Sequence, residues 1–292
     1  MQPRPFLSFV SFFVTFPLGM TAQQQLVNGG LPSVSPNGSL IAFISNRGGS
    51  DKVFVVGADG TGEREVTRRQ AQRPSWTTDG REILFAGGGT DSGHVFAAVP
   101  NGSVVRIVAT VPGRNPVLSP DGARALSLIG PWTSTVTAVV NTDGSSLRQI
   151  AGGGATAWNG AWSPDGARIA YTYGDSTHLL QVHVVNADGT SDRGITHMNA
   201  KEGSAQLPAW SPDGRQLAVQ VSNARSHTAH IWIIDVETGD SRKLAAHAEP
   251  YLDEAPAWFP GGRRIAFQSN RTGRMEIWVM NVDGLEQHQV TR

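Results

Sequence analysis

Ser211-Pro212-Asp213-Gly214, with Pro208-Ala209-Trp210 ahead of it and the apolar segment Leu217 to Gln220 behind it, is the stretch whose reading settles the architecture. Pro212 presets φ at about −65°, Asp213 tolerates the left-handed region and Gly214 supplies positive φ, so the phrase is a tight turn between extended segments. Related phrases stand at Ser35-Pro36-Asn37-Gly38, Thr77-Thr78-Asp79-Gly80, Ser119-Pro120-Asp121-Gly122, Ser163-Pro164-Asp165-Gly166 and Phe259-Pro260-Gly261-Gly262. The marker glycines lie 42, 42, 44, 48 and 48 residues apart, a period at which self-similarity means a repeated supersecondary unit.

Each unit runs through the same segments. The strand before the turn is followed by one such as Leu40 to Ile44 or Ile265 to Gln268, then by another such as Val53 to Val56 or Ile277 to Met280. A second glycine turn comes next, at Gly60, Gly102, Gly144, Gly189, Gly239 or Gly284, and a short closing strand such as Glu65-Val66-Thr67 or Gln289-Val290-Thr291. No helical periodicity interrupts them. Four short antiparallel strands per repeat predict an all-β chain, a six-bladed β-propeller of four-stranded blades over residues 32–292. Trp76, Trp162, Trp210 and Trp258 share the position just before the turn and are expected to pack between blades. Every repeat holds its own four strands, so no blade is expected to borrow one from the other terminus.

Pro208 to Gly214 (Pro-x-Trp-Ser-Pro-Asp-Gly), Ile265-Ala266-Phe267 and Ile277 to Gly284 (Ile-Trp-Val-x-x-x-Asp-Gly) are similar to the WD40-like, or PD40, repeat of the TolB-like propellers. The resemblance spans about residues 32–292. It implies the six-bladed fold and a role in an envelope complex. TolB itself carries an α/β domain ahead of its propeller, for which the segment before the first repeat is too short. Related repeats also form the propeller halves of prolyl-oligopeptidase and dipeptidyl-peptidase relatives. The chain has no Gly-x-Ser-x-Gly elbow, so a serine hydrolase of that type is unsupported.

The N-terminus has its own logic. Arg4 precedes an apolar run from Phe6 to Met20 and then Thr21-Ala22, which reads as a signal peptide over residues 1–22, with a retained anchor as the alternative because Met20 is large for its place before the cut. Residues 23–31 follow as an extension, in which Gln23 to Val27 has an outer-strand pattern that would dock on the last blade. A periplasmic or secreted protein is expected, with no transmembrane helix in the mature chain. There is no cysteine to carry a lipid anchor or a disulfide. The formal net charge is zero, which gives no electrostatic basis for a nucleic-acid partner. A monomer is expected.

In an up-and-down blade the turns between strands one and two and between strands three and four share one face. The other face carries the loops between strands two and three and the crossovers. It is the better candidate for function, because variable loops on a rigid scaffold carry recognition. The residues just ahead of each innermost strand should ring the channel mouth there: Gln72, Arg73, Arg114, Asn115, Trp158, Asn159, Gln206 and Glu254, with Tyr251 and Asp253 alongside. Arg73 and Arg114 opposite Glu254 and an aromatic would clamp an anionic group or a peptide end.

Six of the eight histidines lie in blades four and five or their outgoing crossovers: His178, His183, His197, His227, His230 and His247. A divalent metal would draw on His227, His230 and His247 near Asp253 and Glu254. Solvated loop histidines are the competing reading, since no compact ligand motif is present. His183 takes a slot filled by Phe54, Trp232 and Trp278 elsewhere, so it is expected to be a packed side chain. Two functions follow. The first is a non-enzymatic binding scaffold of the cell envelope that recognises a protein or peptide partner through the loop face and needs no cofactor. The alternative is a metal-assisted propeller lyase or hydrolase acting on an anionic sugar or phosphate.

Overall fold

The computed structural model describes residues 29–87, 93–131, 135–151, 156–174, 179–244 and 251–292. The leader, the Gln23 to Val27 segment, His178 and His247 lie outside the described residues. Among those described there are twenty-four strands in six four-stranded antiparallel sheets, and no helix long and apolar enough to cross a membrane. Each sheet uses four consecutive strands, so every blade is built from one repeat. Blade 1 spans Gly30 to Glu65, blade 2 Ala71 to Thr110, blade 3 Arg114 to Ala151, blade 4 Thr156 to Gly194, blade 5 Ser204 to Lys243 and blade 6 Asp253 to Gln289.

The turn phrase folds as its chemistry requires. In blade 5 the Gly214 amide donates to the Ser211 carbonyl at 2.9 Å, and Gly214 has φ of 68°. The Ser211 hydroxyl donates to Asp213 Oδ1, which also accepts from the Arg215 amide. These donors, the hydroxyl first, hold the Asp213 carboxyl below the usual carboxylate range, and Asp79, Asp121 and Asp165 repeat the arrangement. The closing strands fall slightly earlier than the sequence suggested, at Arg64–Glu65, Arg193–Gly194 and His288–Gln289. Val66, Ile195 and Val290 follow them, each still donating its amide to the third strand, at Val53 O, Val182 O and Ile277 O, with the side chain buried between blades.

The apolar interior is a ring of six clusters, one at each blade interface. Ala170, Val182 and Val184 of blade 4 meet Ala205, Trp210 and Leu217 of blade 5; Ile41, Phe43 and Val56 of blade 1 meet Phe259, Ala266 and Ile277 of blade 6. The four tryptophans sit between blades as expected. Their indole N–H groups donate to the innermost strand of the preceding blade: Trp76 to Ser33 O, Trp162 to Val117 O, Trp210 to Ala161 O and Trp258 to Ala209 O, at 3.0 to 3.1 Å. Blade 3 has Leu118 at that position and blade 1 has Val34, so the 2–3 and 6–1 interfaces lack this latch. At the 6–1 seam the Gly29 amide donates to Met275 O at 2.9 Å. A Cβ at Gly29 would lie 2.9 Å from Ile277, so the chain enters blade 1 through a space that only glycine fits.

Candidate functional site

All six innermost strands carry the same irregularity. Three residues of the inner strand face two of its partner: Gln206↔Gln220 is followed by Ala209↔Ala218, and the other blades repeat this one-residue bulge. The residue after the last regular pair is left-handed in every blade. Leu31, Arg73, Asn115, Asn159, Leu207 and Ala255 have φ between 49° and 54°. Proline follows in five blades, as Pro32, Pro74, Pro116, Pro208 and Pro256, where a bulge needs no amide donor. Gly160 takes its place in blade 4, where a Cβ would meet Leu126 of blade 3 at 3.0 Å. Non-glycine residues are strained in this conformation, and six-fold repetition around one axis marks it as the device that redirects these side chains.

Arg73 reaches across the propeller. Its Nη2 donates to Gly160 O at 2.9 Å, reaching from blade 2 across to the innermost strand of blade 4. Part of its surface is exposed, yet the protein packed around the guanidinium lowers its pKa to about 10 by desolvation, so it stays cationic at neutral pH. It has no acidic partner among the described residues. Asn115 and Asn159 occupy the equivalent positions in blades 3 and 4 and are half-buried.

The other expected clamp residues are placed differently. Arg114 turns into its own blade and donates to Gly130 O at 2.5 Å and to Thr135 Oγ1 at 2.8 Å. Glu254 is withdrawn into the wall with 4% of its surface exposed. It accepts from Gln220 Nε2 at 3.1 Å and Gln268 Nε2 at 2.9 Å. Burial, and next the Asp253 charge, push its pKa up against those two hydrogen bonds. The two glutamines tie the wall together: Gln220 Oε1 accepts from the Ala255 amide, and Gln268 Oε1 from the Leu31 amide across the 6–1 seam. Asp253 is held by Arg271 Nη2 at 2.7 and 2.8 Å, and that guanidinium lies over Trp278 and Tyr251. Trp158 and Gln206 are half-buried on the innermost strands of blades 4 and 5.

The histidines are spread out. His227 sits exposed in the loop before the third strand of blade 5, and His230 lies within that strand. Among the described residues no three His, Asp or Glu side chains converge as metal ligands. His183 is packed as expected, with its ring centroid 4.5 Å from Tyr173 and 5.5 Å from Tyr171, and its Nδ1 3.2 Å from Asp192. Sequence reasoning missed the left-handed ring itself. Its signal was the repeated proline two residues ahead of the tryptophan position.

Comparison with known proteins agrees with this architecture. A family model described as the TolB β-propeller domain matches residues 134–292, more than half of the chain. No curated protein matches it. Among solved structures, a putative TolB from Agrobacterium tumefaciens is similar at 21% identity and TM-score 0.65, covering 78% of this chain and 84% of that one. TolB from Acinetobacter baumannii is similar at 19% identity and TM-score 0.68, over 85% of this chain; the match spans only 62% of that protein. An oligogalacturonate lyase in complex with manganese is similar at 16% identity and TM-score 0.62, over 91% of this chain and 78% of that one.

Proposed function

The chain belongs to the TolB β-propeller domain family, and we propose on that premise that it is a non-enzymatic binding scaffold of the cell envelope. It recognises a protein or peptide partner through the face that carries the crossovers and the loops between strands two and three. The observation that carries this reading is the left-handed ring on a rigid wall. Six bulges repeat around one axis, and on blades 2 to 4 the left-handed residue is a half-buried cation or amide available to a ligand. The Gln220–Glu254–Gln268 network holds the wall without entering the channel. A periplasmic or secreted location belongs to the same proposal and is supported by the leader pattern of residues 1–22.

A photo-crosslinking residue tests it when placed in turn at Gln206, on the proposed face, and at Asp165, in a tight turn on the opposite face. Adducts with an envelope protein at Gln206 and none at Asp165 are expected; the reverse pattern would refute the choice of face. The metal-assisted lyase or hydrolase makes a different prediction. Purified protein would then carry a stoichiometric transition metal and melt lower after chelation, which elemental analysis with a paired thermal scan decides.

A further inference from the structure

The six left-handed residues divide the channel by chemistry. Blades 2, 3 and 4 contribute Arg73, Asn115 and Asn159; blades 5, 6 and 1 contribute Leu207, Ala255 and Leu31. The wall behind them follows the same division. The amides of Leu207, Ala255 and Leu31 each donate to a side chain of the preceding blade, Thr172, Gln220 and Gln268, at 3.3, 3.3 and 2.9 Å. At the matching places behind Arg73, Asn115 and Asn159 stand Ile44, Ala86 and Leu128, which offer no acceptor. Among the described residues, the Asn115 and Asn159 carboxamides have no hydrogen-bond partner and Arg73 has only a backbone carbonyl. The one carboxylate at an adjacent ring position, Glu254, is engaged by two glutamines inside the wall.

A half-buried guanidinium with donors beside it and no carboxylate has an unmet demand for an anion, since charge removed from water needs a partner. Opposite them the half-buried Leu207 offers apolar surface, which gains by covering apolar ligand atoms, while Ala255 is buried and Leu31 packs against the apolar cluster between blades 1 and 2. We infer that the axis binds a carboxylate carried on an apolar body, with Arg73, Asn115 and Asn159 holding the carboxylate and Leu207 packing against the rest. This deepens the scaffold reading and rests on it. The C-terminus of a peptide ending in an apolar residue and a small branched organic acid share this chemistry. A bare inorganic anion satisfies the polar arc and leaves Leu207 uncovered.

The full chain titrated by calorimetry with four probes tests the assignment: acetyl-Ala-Ala-Leu with a free C-terminus, its C-terminal amide, isocaproate, and inorganic phosphate. The peptide acid or isocaproate is expected to bind at least about tenfold more tightly than the amide and phosphate, a difference of about 1.4 kcal/mol. Whichever carboxylate binds better identifies the source. Arg73→Asn should erase the preference for acid over amide with an unchanged melting temperature, because asparagine already occupies this backbone conformation in blades 3 and 4. Leu207→Asn should weaken the better carboxylate while leaving phosphate unaffected. Equal binding of acid and amide, undiminished carboxylate binding by Arg73→Asn, phosphate binding as tight as the carboxylates, or no binding of either carboxylate at millimolar concentration would overturn it. Crosslinked adducts at Gln206 that persist in a protein binding neither carboxylate would overturn the ligand assignment and leave the scaffold reading standing.

Discussion

Replacing Asp253 by asparagine should destabilise the propeller more than any exposed charge substitution, and the size follows from the geometry. Arg271 Nη2 contacts both Asp253 oxygens, and the two side chains are only 10% and 5% exposed. Neither charge is well hydrated, so removing the carboxylate takes away the charged partner of a cation that lies over Trp278 and Tyr251 and otherwise has the neutral acceptors Ser269 and Gln287. Breaking one side of a buried pair costs about 3–5 kcal/mol. For a chain of 292 residues, with an unfolding entropy of about 2.1 cal/mol/K per residue, that lowers the melting temperature by about 5–8 °C. Arg271→Met keeps the aliphatic reach over Trp278 and strands the carboxylate in turn. The double variant should lose much less than the sum of the two singles, since each loss is mainly the penalty of an orphaned charge. Thermal melting monitored by circular dichroism measures all three. If Asp253→Asn melts within about 1 °C of the parent, or if the two single losses simply add, the pair is not coupled as described.

Trp210→Phe keeps a ring between blades but removes the indole donor to Ala161 O, so a loss of about 1 kcal/mol is expected; unchanged stability in denaturant would show that the latch contributes nothing. Among the described residues the 2–3 interface has the smallest apolar cluster, five buried residues against twelve between blades 4 and 5, and Leu118 in place of tryptophan. Hydrogen exchange should therefore find the strand amides flanking that interface opening first, and uniform protection around the ring would contradict this. Glu254 should make stability depend on pH. Burial raises its folded pKa above the ordinary 4.5, so its contribution is fully present below that value and is lost as pH rises through the folded pKa. Glu254→Gln should flatten that part of the profile, measured as denaturation midpoints across pH, whereas parallel profiles for the two proteins would remove Glu254 as the source.

The fold was legible because each blade repeats a local code. Ser-Pro-Asp-Gly specifies a turn through the dihedral preferences of its own residues, and strand alternation needs only near neighbours. The inter-blade role of Trp210 was readable for the same reason, since its position recurs whatever the loop length. The closing strands end early because Val66, Ile195 and Val290 keep a single hydrogen bond to the third strand while their side chains turn to the adjacent blade, a choice that depends on a neighbour about thirty residues away or more. Arg114 and Glu254 stand at matching places in the repeat, with Arg73 one residue further on, and the sequence alone does not show where each side chain goes. Tertiary structure does so through partners that lie outside each local phrase: Gly160 of blade 4 draws Arg73 across the axis, Gly130 and Thr135 take Arg114 into its own loop, and Gln220 with Gln268 hold Glu254 in the wall. Local dihedral chemistry thus determined the blades, while the chemistry of the axis was decided by contacts between blades, which no single repeat encodes.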